Sequence, residues 1–435
     1  MKIKIAIKRD FYTRPKFYIW TILVWSCFYN ALVNYLHLPS VISYLIDFMC
    51  LILLYALVRN ADFTGRTLGS TSAIIALMLI ESVLSFVINL YNPLVFVWGI
   101  RTLFRFVLYF VACCCYSDRN TVERILTFLY VVVLITVPLV TLQSMQGYDL
   151  DAVTGFFSLG KDVRGGNAGM NILLTTVSTY AILQYFNKKW SLVKMMTAVL
   201  AGVYIAALGE LKIFYFELLL IIVLCVFLTR MSFKKGFGIV ILSAIFLVGL
   251  SLYQSTYGNG YYYQVRGYNF FSWEAVRDYI GLTGQSYGSF NSLNRTTAIP
   301  YVWNNFLGDG LQKLFGLGVG YADTVSFDAF SSGFLSTHSG LGYQFWFASL
   351  ELANIGAIGL FLFYVLFVMA YKKAIKGKKA DENNRVLYTT SQVMITICII
   401  TTFYNQALIL DVAAPILYFC ISIPYCLQKN SKRKR

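Results

Sequence analysis

Apolar runs of roughly 18 to 25 residues recur along this chain from end to end, each long enough to cross the hydrocarbon core of a bilayer. The first begins near Phe17. It is too long for a signal-peptide core and has no small-residue cleavage site, so it reads as a retained span. Charged residues are 13% of the chain and apolar residues 58%, against about 25% charged in a soluble domain. The expectation is an all-α polytopic membrane protein with about twelve transmembrane helices. They fall at 17–36, 41–58, 68–90, 94–116, 125–143, 168–186, 191–209, 212–229, 237–253, 350–371, 387–404 and 410–427.

A net charge of +16 would suggest nucleic acid in a soluble protein. Here the basic residues sit in short segments between spans, which is a topology signal instead, and nucleic acid is not expected as a partner. With both termini cytoplasmic, all but nine of the 36 Lys and Arg fall on the inside. The nine are Arg101, Arg105, Lys161, Arg164, Lys212, Arg266, Arg277, Arg295 and Lys313. The chain then divides into helices one to nine over 1–253, with an outer loop at 144–167. A large extracytoplasmic loop over 254–349 and three last helices with a basic tail over 350–435 follow. In the large loop, "YGNGYYYQ" (Tyr257–Gln264) reads as a turn at Asn259–Gly260. "SLNRTTAIPYVWNNF" (Ser292–Phe306) reads as a short helix broken near Pro300. All nine cysteines lie in or at the ends of apolar runs, so a disulfide framework is not expected.

The nine misplaced cations are where chemistry is sought. Arg101 and Arg105 are four apart, on one face of the fourth span. An arginine at mid-membrane costs about 2.5–3.5 kcal/mol, so it faces a polar cavity or pairs with a carboxylate such as Asp47 or Glu81. Lys212 either pairs with Glu210 or joins a cation cluster. Arg164 opens "VRGGNAGMN", where Gly165 and Gly166 let backbone N–H groups approach an anion at a helix N-terminus. Cations converging at the outer end of a bundle suit a phosphate-bearing lipid headgroup. No HExxH, CxxC pair or DxD occurs, so no metal and no cofactor is expected. "GLGVG" (Gly316–Gly320) lacks the βαβ setting of a dinucleotide site. His338, in "STHSG", is placed to take a proton from a hydroxyl near neutral pH, whereas His37 reads as structural.

Three motifs carry a resemblance. Arg164–Asn167 (Arg-Gly-Gly-Asn) opens a span. Arg295 and Trp303 are followed by Gly316–Gly320 and His338. Leu350–Gly359 reads Leu-Glu-Leu-x3-Gly-x2-Gly. In topology and in these motifs the chain resembles the bacterial O-antigen polymerase and ligase superfamily, the Wzy-type polymerases in particular. The resemblance implies a GT-C-like, inverting, metal-independent glycosyltransferase of the bacterial cytoplasmic membrane. It would join undecaprenyl-diphosphate-linked oligosaccharides, with membrane lipids, a flippase and a chain-length regulator as partners. Carried over by position, Arg164 and Arg295 engage the diphosphate, His338 is the catalytic outer-loop histidine, and Glu351 contributes to substrate binding. Lys212, Arg101 and Arg105 are further substrate-binding candidates. Ligases of the superfamily show His-Asn where this chain has His338–Ser339, and Leu211–Lys212 replaces a Ser-Arg pair, which favours polymerase over ligase. A lipid-linked oligosaccharide flippase is the remaining alternative. The loop aromatics Tyr257, Tyr261, Tyr262, Tyr263, Trp273 and Trp303 either stack on sugars or form an interfacial belt.

Overall fold

Each apolar run folds as a helix, because a chain in lipid must satisfy its backbone hydrogen bonds within the segment. The computed structural model describes residues 14–60, 67–229, 232–257, 272–273, 277, 292–325 and 327–432, and no strand occurs among them. The long helices are α1 (Pro15–Leu36), α2 (Leu45–Arg59), α3 (Ser70–Asn89), α4 (Pro93–Tyr116), α5 (Arg119–Met145), α6 (Asn167–Phe186), α7 (Leu192–Leu208), α8 (Lys212–Phe227) and α9 (Phe233–Tyr257). Three short helices follow, α10 (Ala298–Tyr301), α11 (Gly310–Phe315) and α12 (Phe334–His338). The chain closes with α13 (Phe347–Ala380), α14 (Arg385–Tyr404) and α15 (Ala414–Lys432). Pro15 and Pro93 open α1 and α4 in the first turn, where a missing N–H is not needed. Asn92 and Asp118 cap α4 and α5 by accepting from Leu94 N and Thr121 N, both at 2.9 Å.

Eight of these helices, α1 to α5, α9, α13 and α14, are long and apolar enough to cross a membrane, which is the architecture of a polytopic membrane protein. α7 and α15 are apolar but shorter. α6 carries Asn171, Thr175, Thr176, Ser178 and Thr179, and every residue from Gly169 to Phe186 is buried. It is the central helix, shielded from lipid by its neighbours, and so tolerates a polarity that a peripheral span would not. α2 lies at the periphery and exposes Phe48, Leu51, Tyr55 and Val58, one helical face, as lipid contact requires.

A helix lies at each expected position, eight of them long and apolar enough to span, with corrections at several ends; α5, for one, starts at Arg119 rather than 125. α13 runs to Ala380 rather than 371, because the lysines after Tyr371 are good helix formers that hydropathy alone excludes. α15 begins at Ala414, so 405–413 is a turn and not the start of a span. The segment expected to be a broken helix at 292–306 is α10 followed by a π-helical turn at Val302–Phe306. The expected turn at Asn259–Gly260 lies outside the described residues, as do Tyr261, Tyr262, Tyr263 and Arg266.

The bundle has two distinct faces. At one, lysines tie the short connections: Lys16 pairs with Asp118, Lys373 Nζ donates to Thr67 O (2.8 Å) and Lys378 Nζ to Leu228 O (2.7 Å). At the other, called here the loop face, the ends of α1 and α3 meet the longer connections. Asn34 donates to Ser158 O, Ser85 to Phe315 O (2.6 Å) and Tyr91 to Val319 O (2.8 Å). The sequence expectation, from the positive-inside rule, is that the loop face lies outside. Gly340 is exposed with open space around it, and all nine native thiols are buried. Gly340→Cys should therefore react with an impermeant maleimide on intact cells over an unlabelled native background. Labelling only after lysis would reverse the orientation.

α13 is broken at Gly356, whose φ of 62° and ψ of −167° interrupt the helical ladder. The carbonyls freed by the break accept N–H groups from the glycine run: Leu317 N donates to Ala353 O (2.7 Å) and Gly318 N to Asn354 O (3.0 Å). The fit needs glycine on both sides. A Cβ on Gly356 would sit 2.4 Å from Gly316 N, and one on Gly99 of α4 would sit 2.4 Å from Gly320 N. "GLGVG" is thus a backbone strap packed between α4 and the broken helix, not a phosphate loop.

Candidate functional site

The turn 405–413 is the element around which the loop face is assembled. Phe347 N, at the start of α13, donates to Asn405 O (3.2 Å). Arg105 reaches Ile409 O (3.4 Å) and pairs with Asp411. Gly169, in the first turn of α6, lies so close to Val412 that a Cβ would stand 2.8 Å from it. Arg295 lies over the ring of Tyr404, 4.2 Å from its centroid. From sequence only 405–409 of this turn is expected, because "NQALILDVAAP" is nearly as apolar as the helix that follows.

Arg295 is set by its neighbour. Asn294 is buried, and its Oδ1 accepts from Thr296 N (3.0 Å) and Thr297 N (2.9 Å), which fixes the turn that carries the arginine into α10. Leu293 N donates to Leu341 O (2.7 Å), so the Arg295 and His338 segments share a backbone bond. His338 ends α12. Its Nδ1 lies 3.0 Å from Phe334 O, and its ring stacks on Phe334 (4.3 Å) and meets Phe306 edge-on (4.9 Å). A carbonyl only accepts, so Nδ1 carries a proton, and in the neutral ring the lone pair is on Nε2. The ring is oriented and in the tautomer a base requires. Its segment is thus better ordered than "STHSG" suggests.

The remaining cations divide. Arg164 lies in the 146–166 connection with its side chain 74% exposed, and among the described residues its one ion-pair contact is Asp149, at 3.8 Å. That is a weak surface contact which a better anion would displace. Gly209, at the end of α7, packs on Val153 O of the same connection and brings the α7–α8 turn beside it. There Lys212 pairs with Glu210 at 2.9 Å. Arg101 pairs with Asp47 at 2.5 Å and lies over the rings of Trp98 (4.3 Å) and Tyr44 (5.3 Å). Arg105 joins Asp47 (3.2 Å) to Asp411. Arg101, Arg105 and Lys212, expected at a diphosphate, thus already have carboxylate partners, and for Arg101 and Arg105 that partner is the Asp47 considered from sequence. Arg164 forms no comparably close ion pair among the described residues. Glu351 lies inside the protein, 2% exposed, near Asp323 and Asn354. Trp303 lies under Lys313 (5.5 Å), and Trp273 is exposed. Among the described residues no group of His, Cys, Asp and Glu is placed to hold a metal ion.

The fold and this face define a class, an all-α polytopic membrane protein with a built-up loop face carrying an oriented histidine and arginines. No protein-family model matches the chain, and no curated protein matches it.

Proposed function

We propose that the chain is a membrane glycosyltransferase that joins polyprenyl-diphosphate-linked oligosaccharide units into a surface polysaccharide at the outer face of a bacterial cytoplasmic membrane. The observation that carries this reading is the loop face itself, where His338 presents a free Nε2 lone pair a few residues from the backbone bond it shares with the Arg295 segment. In the reaction, the acceptor hydroxyl gives its proton to His338 Nε2 as its oxygen bonds to the donor's anomeric carbon. The bond from that carbon to the phosphate oxygen breaks, and polyprenyl diphosphate leaves with the electron pair. The leaving group is already an anion, so cations serve it better than a general acid. Arg295 and Arg164 are the residues assigned to it. Arg101, Arg105 and Lys212 are secondary, because each would first have to leave a carboxylate.

A second reading, a lipid-linked oligosaccharide transporter, draws on the broken α13, since interrupted helices near buried polar groups are common in transporters. Purified protein in vesicles with lipid-linked repeats separates the readings. Long chains are the result expected of a polymerase, transfer to another acceptor that of a ligase, and movement without bond formation that of a transporter. Within the first reading, charge-assisted hydrogen bonds of about 1.5–3 kcal/mol each predict that Arg295→Ala lowers the rate about tenfold to a hundredfold. Arg295→Lys should recover only part, because the planar fork is lost. Wild-type polymer from well-folded Arg295→Ala protein would remove this residue from the site.

A further inference from the structure

We propose that Asp323 and Glu351 bind a proton between the glycine strap and the broken helix, and that this proton holds the strap closed. Asp323 follows the strap and is 7% exposed; Glu351 belongs to the α13 segment ahead of the break. Asn354 stands between strap and helix. Its Nδ2 donates to Asp323 Oδ1 (2.6 Å), its Oδ1 accepts from Ala322 N (2.9 Å), and its side chain also meets Glu351. One amide has donors for one ionised oxygen at each side at most, and two carboxylates sharing so dry a site do not both ionise.

A separate observation points the same way. Glu81 of α3, 4% exposed, faces the same stretch of α13. Its Oε2 is where a Cβ on Gly359 would come within 2.9 Å, and its Oε1 has no hydrogen-bond partner. Being an acid, it can offer the Asp323–Glu351 pair no compensating positive charge. The other titratable groups facing the pair are acids as well: Tyr91 from the α3–α4 turn, Tyr343 from the loop and Tyr418 from α15. Among the described residues no Lys, Arg or His forms an ion pair with Asp323, Glu351 or Glu81. Among the described residues no group there is placed to hold a metal ion, and a proton is a cation that so dry a pair can take. Burial pushes the Asp323 carboxyl up to about 6 against the lowering pull of the Asn354 amide.

The sign of the linkage follows. An acid held neutral in the folded state lends stability below its unfolded value, near 4, and loses it as pH rises through its folded value, near 6 for Asp323. Asp323→Asn keeps the acceptor oxygen for Asn354 and cannot ionise. The purified full chain is compared with this variant by thermal unfolding in detergent from pH 4.5 to 8. The difference in midpoint, variant minus wild type, should grow as pH rises and reach about 2 °C or more in the variant's favour at pH 8. A variant less stable than wild type at pH 8 means an ionised, well-solvated carboxylate and overturns the proposal. Should the variant not fold, the infrared carboxylic-acid C=O band of the wild-type protein decides. It must be present at pH 5 and lose amplitude by pH 8. A spectrum unchanged over that range overturns the proposal equally.

Discussion

Alanine at position 338 is expected to lower turnover about 10²–10⁴-fold, the usual contribution of a positioned base, while the protein folds and holds donor as before. Folding should survive because the side chain makes one hydrogen bond, within its own short helix, and its ring packs on Phe334 and Phe306 without being fully buried. His338→Gln is the sharper variant, since glutamine hydrogen-bonds but accepts no proton at neutral pH. Single-turnover assays with saturating lipid-linked donor give the measurement. A Gln variant at wild-type rate limits His338 to holding the acceptor. A loss in both variants with donor binding intact supports proton transfer.

Methionine in place of Arg105 should cost about 3–5 kcal/mol of stability, the usual penalty when one member of a buried ion pair is removed. Arg105 is 9% exposed, and its guanidinium ties α2, through Asp47, to the 405–413 turn, through Asp411 and Ile409 O. Without it Asp411 loses its pair while Asp47 keeps Arg101. Apolar replacement of both partners is often nearly neutral, so Arg105→Met combined with Asp411→Leu should recover most of the loss. Thermal midpoints of the two single variants and the double variant give the coupling. A stable Arg105→Met protein that no longer makes polymer would instead return Arg105 to substrate binding.

The helices were legible because hydropathy and span length reflect one constraint, the bilayer, that acts on each segment alone. Asp47 could be proposed as a partner for Arg101 and Arg105 because a carboxylate in an apolar run has few other uses. Asp411 could not, because it hides in an apolar stretch that reads as helix. The strap was readable as glycine-rich but not as packed. Its reason is a Cβ-free contact with Gly99 and Gly356, more than 200 and about 40 residues away respectively, and no local pattern reports such a pairing. Glu351 is the clearest case. Its motif suggested a substrate contact, and only the folded chain shows it buried beside Asp323 and Asn354.

The break at Gly356 also relocates the seam along which this molecule would articulate. Read as hydropathy, the large loop ends near residue 349 and a rigid membrane rod begins. Read as connections, the part of α13 ahead of Gly356 is stitched to the strap through Ala353 and Asn354, while the far end of α13 is clamped by Lys373 and Lys378 at the opposite face. A hinge between the two would therefore lie inside the helix, at Gly356. Any swing of the loop face carries the first turns of α13, with Glu351, as cargo, and leaves the rest of the rod anchored.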